Sequence, residues 1–170
     1  MSQFRSIQRL LLSITLMAGV AACNDLDRPP TDLELGDEAS FSANVQAYIG
    51  AGCGSLACHG DLGRAFRIHA ELGLRLTPQL REQPISSGEI LSNLASIAAL
   101  SPRSIPASEH LILKKGLAIQ AGGFAHEGDD IWPDTDDPGY LCVLAWLEGR
   151  TAEIAQPCDL AYQMVKPADP

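Results

Sequence analysis

The sequence is short of positive charge. Twelve Lys and Arg stand against 21 Asp and Glu, a formal net charge of −9. Such a chain repels nucleic acid and anionic lipid, so neither is expected as a partner. Long hydrophobic runs are lacking too. The one extended apolar stretch, Leu10 to Ala22, is interrupted by Ser13, Thr15 and Gly19. It falls short of a membrane-spanning helix, which needs about 20 residues. No internal repeat is visible. Nor is there a nucleophile elbow, a phosphate-binding glycine loop, a Ser-His-Asp order or a paired-carboxylate pattern, so the chain is not expected to be an enzyme.

What is present begins with a targeting signal. Arg5 and Arg9 form a basic head, the apolar run follows, and small residues Val20-Ala21-Ala22 precede Cys23 before the chain turns polar at Asn24-Asp25. This is the layout of a secretory signal. Val20-Ala21-Ala22-Cys23 resembles a bacterial lipobox. The resemblance implies cleavage before Cys23, a diacylglycerol on the Cys23 thiol and acylation of the new amine. Three acyl chains anchor stably where one binds only marginally. Asn24 after Cys23 is similar to the pattern of outer-membrane sorting. The expected organisation is therefore a signal peptide over 1–22, a lipidated cysteine and acidic tether carrying Pro29-Pro30 over 23–39, a folded domain over 40–160 and a tail over 161–170. The expected location is the periplasmic side of the cell envelope, at the outer membrane. Without Arg5 and Arg9 the net charge is −11, which suits docking to a basic partner protein.

Periodicity predicts a mainly helical domain with long loops. Phe41, Val45, Tyr48 and Ile49 form one apolar helical stripe, ended by Gly50 and Gly52 just before Cys53. Residues 60–88 are punctuated by Gly and Pro and read as loop, with a short strand expected at Leu72–Leu76. A second helix is expected from Ser87 to Leu100, a third from about Pro106 to Gly116, and a last from Pro138 to Glu148. The stretch 121–139 reads as a loop, and the chain after the last helix as a tail held by Cys158.

With Cys23 lipidated, four cysteines remain: Cys53, Cys58, Cys142 and Cys158. Cys142 lies on the last expected helix and Cys158 beyond its end, and a disulfide pinning the tail is their expected use. Cys53-Gly54-Ser55-Leu56-Ala57-Cys58-His59-Gly60 carries the chemistry. Covalent haem needs two thiols near enough to reach the two vinyl groups of one porphyrin, and an imidazole on the same turn to reach the iron. The usual spacer is two residues; here it is four, with the terminal Cys-His-Gly intact. The cofactor expected is haem c, attached at Cys53 and Cys58 with His59 as the proximal iron ligand. A Cys53–Cys58 disulfide in a haem-free structural or interaction lipoprotein, and a metal site using the same residues, stay open as alternatives.

The motif, followed by Gly63-Arg64, Arg67 and Gly73-Leu74-Arg75-Leu76, resembles cytochrome c domain-containing lipoproteins of the myxobacterial and delta-proteobacterial type. Further counterparts are Leu111 to Lys115, Gln120-Ala121-Gly122-Gly123 and Cys142-Val143-Leu144-Ala145-Trp146-Leu147. The likeness spans about residues 45–158 and implies a cytochrome c-like fold and one-electron transfer. Where that pattern carries His, this chain has Gln120. His126, six residues on, is the candidate second iron ligand; His69, His110 and Met164 are the others. His69 is expected at the surface or against a haem propionate, His110 solvated on a helix, and Met164 in the tail. Arg64, Arg67 and Arg75 are candidate propionate partners or members of ordinary salt bridges. The five Asp between Asp129 and Asp137 read as a solvated acidic loop or a calcium site.

Overall fold

The computed structural model describes residues 37–102 and 105–166. The expected signal peptide, Cys23 and the expected tether up to residue 36 lie outside the described residues. The domain is mainly helical, and among the described residues β-structure is limited to isolated bridges, Ser55 with Gly73, His69 with Leu74 and Leu117 with Trp132. The strand expected at Leu72–Leu76 is absent. Its alternation arises instead from a turn that buries Arg75 and leaves Leu72 and Leu76 exposed.

Helix α1 runs without a break through Glu38–Ser40, a π-helical stretch Phe41–Val45, and Gln46–Cys53. Asp37 caps it, accepting from the backbone N–H of Ala39 and Ser40. The Ser40 hydroxyl, donating to the same carboxylate at 2.7 Å, and then those backbone bonds hold the Asp37 carboxyl below its ordinary pKa. The predicted stripe is the buried one: Phe41, Val45, Tyr48 and Ile49 all lie in the core. Helix α2, Ser87–Ala98, opens on a capping box in which Ser86 and Glu89 bond reciprocally. Helix α3, Leu111–Gly116, is preceded by the 3-10 turn Ala107–Glu109 and capped by His110. Helix α4, Pro138–Leu147, has Asp137 as its cap and Pro138 at its first position.

The segment expected as a tail is a fifth helix, α5, Ala155–Val165. It packs against both α4 and α1, and the Cys142–Cys158 disulfide joins it to α4. Met164 is thus an exposed helical residue. The core lies where α1, α4 and α5 meet: Phe41 packs against Trp146 with ring centroids 5.0 Å apart and planes tilted by 50°, and Trp132 meets Tyr140 edge-on at 5.8 Å. The disulfide closes a loop of 16 residues. Replacing both cysteines by alanine should lower the unfolding free energy by about 3 kcal/mol on loop-closure grounds. Urea unfolding of the oxidised chain against the double variant checks this.

Candidate functional site

The end of α1 delivers Cys53 directly into the motif. The N–H of His59 donates to the carbonyl of Cys53 at 2.9 Å, so the four-residue spacer folds outward as a closed loop. Within it the N–H groups of Cys58 and Gly60 both donate to Ser55. Gly60 has to be glycine, because a β-carbon there would stand 2.0 Å from the Gly54 oxygen. Leu56 and Cys58 are left exposed and Cys53 half-buried. Both cysteines carry free thiols. Burial pushes the Cys53 thiol up to about 12, so at neutral pH it is a protonated thiol rather than a thiolate nucleophile.

His59 is half-buried and fixed from two sides. Its Nδ1 lies 3.1 Å from the carbonyl oxygen of Phe66, and the Phe66 ring meets it edge-on at 4.8 Å. With Nδ1 donating its proton to that carbonyl, Nε2 keeps its lone pair, the arrangement by which an imidazole is oriented towards a metal. Burial holds the His59 pKa below its ordinary value.

His126 is brought to His59. The two imidazole centroids stand 5.9 Å apart with the rings inclined by 37°. The placement is built by α3. The backbone N–H of Phe124 donates to Lys114, Lys115 Nζ donates to the carbonyl of Ala125, and the N–H groups of Ile131 and Trp132 both donate to Gly116. Both ends of the loop carrying His126 are thereby tied to one helix. Trp132 then donates from Nε1 to Tyr48 Oη at 2.7 Å, fixing the loop to α1. His126 Nδ1, like that of His59, faces a main-chain carbonyl, that of Asp129 at 3.1 Å. Arg64 and Glu127 pair across the site at 3.6 Å.

The other candidates have different uses. His69 is buried rather than superficial: its N–H donates to Asn93 Oδ1 at 2.6 Å, and its Nδ1 lies 3.3 Å from the same oxygen. Asn93 in turn donates to Gln46 and to the His69 carbonyl. His110 is buried rather than solvated, with Nδ1 accepting from the N–H of Ile112. Gln120 is exposed in the 3-10 turn Ile119–Ala121. Arg75 is not available to a propionate. Its five N–H donors go to both Glu89 oxygens and to the carbonyls of Leu80, Gln83 and Pro84. Arg64 and Arg67 remain exposed beside the motif, Arg64 reaching the Ala57 carbonyl and Arg67 that of Arg64.

Among the acids of the 129–137 loop, Asp137 caps α4 and Asp134 accepts from the N–H of Asp136. Among the described residues no three His, Cys, Asp or Glu side chains converge as an all-protein metal cage, and no helix is long and apolar enough to cross a membrane. No family model, curated protein or solved structure matches the chain.

Sequence reasoning missed the fixed geometry at Phe66. Its role is carried by a backbone carbonyl, which leaves no side-chain signature.

Proposed function

We propose that the chain is a lipid-anchored c-type haem protein of the bacterial envelope, with a cytochrome c-like domain that carries single electrons and catalyses no reaction of its own. The observation that carries this reading is the paired imidazoles. The His59 and His126 ring centroids are 5.9 Å apart, near enough for the two side chains to hold one metal ion between them. Each has Nδ1 at a main-chain carbonyl, which leaves both Nε2 atoms for iron.

The donor set fits the group. Two free thiols, Cys53 and Cys58, precede the first imidazole on the same loop. Exposed apolar side chains, Leu56 and Leu62 on one loop and Phe124 on the other, offer surface for a flat apolar ring. Cys53 and Cys58 would hold the haem covalently, and Arg64 and Arg67 would meet its propionates. Haem iron would supply a one-electron couple whose potential is tuned by axial ligands and burial. Cys23 would fix the domain to the outer membrane, and the acidic chain would favour a redox partner with a basic face.

The test is a haem stain after denaturing electrophoresis, on full-length chain made alongside the cytochrome c maturation machinery. Wild type should stain and the Cys53→Ser/Cys58→Ser double variant should not. A colourless wild-type chain beside a stained control cytochrome would sink the proposal. If its Cys53 and Cys58 are then found oxidised, the haem-free lipoprotein with two disulfides takes its place.

A further inference from the structure

The turn from His126 to Asp129 is built around its own imidazole. His126 Nδ1 sits 3.1 Å from the carbonyl oxygen of Asp129, three residues on. That carbonyl is aimed by an unusual backbone. Asp129 has φ of 66°, the only left-handed non-glycine conformation among the described residues. Between them, a β-carbon on Gly128 would stand 3.3 Å from His126 Cε1 and 3.5 Å from Nδ1, so the ring lies against bare main chain. The left-handed region disfavours an ordinary L-residue by about tenfold and a β-branched one more, while Gly, Asn and Asp tolerate it. Such conformations persist where the surrounding structure requires them, and they cluster at functional sites.

We infer that Asp129 is a positioning residue for the second iron ligand: its left-handed backbone presents the carbonyl that holds His126 as the Nδ1–H tautomer and leaves Nε2 to coordinate. The identity of the metal rests on the proposed haem reading. The tautomer and the ring orientation rest on the geometry of the turn alone. The backbone of Asp129 does this rather than its carboxylate, so Gly and Asn should substitute for it and Val should not.

The experiment compares wild type, Asp129→Gly, Asp129→Asn and Asp129→Val as full-length chains, with and without haem attachment. Nitrogen NMR of the haem-free chain reads the His126 tautomer. It should be Nδ1–H in wild type and in the Gly and Asn variants, with the Nε2–H form appearing in the Val variant. In the haem-bearing chain, added imidazole competes with His126 and is followed by visible absorption. Asp129→Val should take up imidazole about tenfold more tightly than wild type, with Gly and Asn within about twofold of it. Should Asp129→Val not fold by circular dichroism, Asp129→Ala serves, with the same direction expected. An Nε2–H tautomer in the wild type, or a Val or Ala variant indistinguishable from wild type in both measurements, overturns the inference. A chain that never takes up haem overturns the proposed function, and the NMR comparison then decides the role of Asp129 by itself.

Discussion

Replacing Glu89 with alanine should cost about 3–5 kcal/mol of folding free energy, the scale of a buried ion pair robbed of one partner. The Arg75 and Glu89 side chains are 2% and 0% exposed, with Nε and Oε1 at 2.8 Å. Glu89 accepts from Arg75 twice, from the N–H of Leu76 and Ser86, and from Ser86 Oγ. Alanine at 89 would leave a guanidinium buried without its counter-charge and would dismantle the cap of α2 in the same stroke. The damage comes from the orphaned charge more than from the lost attraction. An Arg75→Met/Glu89→Leu double variant should therefore lose much less than the sum of Arg75→Ala and Glu89→Ala. Urea unfolding of the three variants against wild type measures both statements.

The same carboxylate sets a pH response. The Arg75 hydrogen bonds, opposed by burial and helped by those from Ser86 and Leu76, hold Glu89 far below the usual carboxylate range. The unfolded chain, with Glu near its ordinary value of about 4.3, then binds the proton more readily than the folded one. The stabilisation is complete above that value and shrinks as pH falls below it towards the folded pKa. Wild-type stability should decline between pH 5 and about 2, and Glu89→Gln should show a flatter decline across that window.

Gly139→Ala is the second large effect expected, at about 2–6 kcal/mol. Gly139 sits in the first turn of α4, where that helix meets α1 and the Trp132 ring. A β-carbon there would stand 2.0 Å from Tyr48 Oη and 2.4 Å from Trp132 Nε1. The methyl group would have to break into the one hydrogen bond that joins those two buried side chains. Overpacking of a filled core costs about 1–3 kcal/mol, and a buried donor left without its acceptor about 1–3 more. Because the Trp132–Tyr48 contact ties the His126 loop to α1, the change should also loosen the site. Thermal unfolding reads the first effect. The distance-sensitive cross-relaxation between the His59 and His126 rings in the haem-free chain reads the second, and should weaken in the variant.

Much of this architecture is legible in the sequence, and the failures have physical causes. The α1 stripe and the expected spans of α2 and α4 rest on local patterns, and the elements they predict are present. Helix α5 is hidden because Pro157 and a polar composition read as tail, although proline in a first helical turn removes no intrahelical bond. Arg75 and His69 mislead because residue type alone suggests exposure. Their partners, Glu89 and Asn93, lie 14 and 24 residues away, beyond any local pattern. At the candidate site the opposite holds. Cys53, Cys58, His59 and His126 are visible as residues, while the carbonyls of Phe66 and Asp129 that orient the two imidazoles belong to main chain, which sequence does not label.

The disulfide between α4 and α5 bears on how the chain matures. Cys142 and Cys158 are joined and Cys53 and Cys58 are free, and on the proposed haem reading the two pairs need opposite treatment. Cys142 and Cys158 are 16 residues apart, whereas a crossed bond from Cys58 to Cys142 would close a loop roughly fivefold longer. By loop-closure entropy that disfavours the crossed bond by about 1.4 kcal/mol, near tenfold. Proximity along the chain thus sorts the thiols before any tertiary structure exists, and an oxidant meeting the unfolded polypeptide is biased towards the native bond. The close spacing of Cys53 and Cys58 is the exception to this safeguard, and under the proposed function it marks the point where haem attachment would have to outrun oxidation.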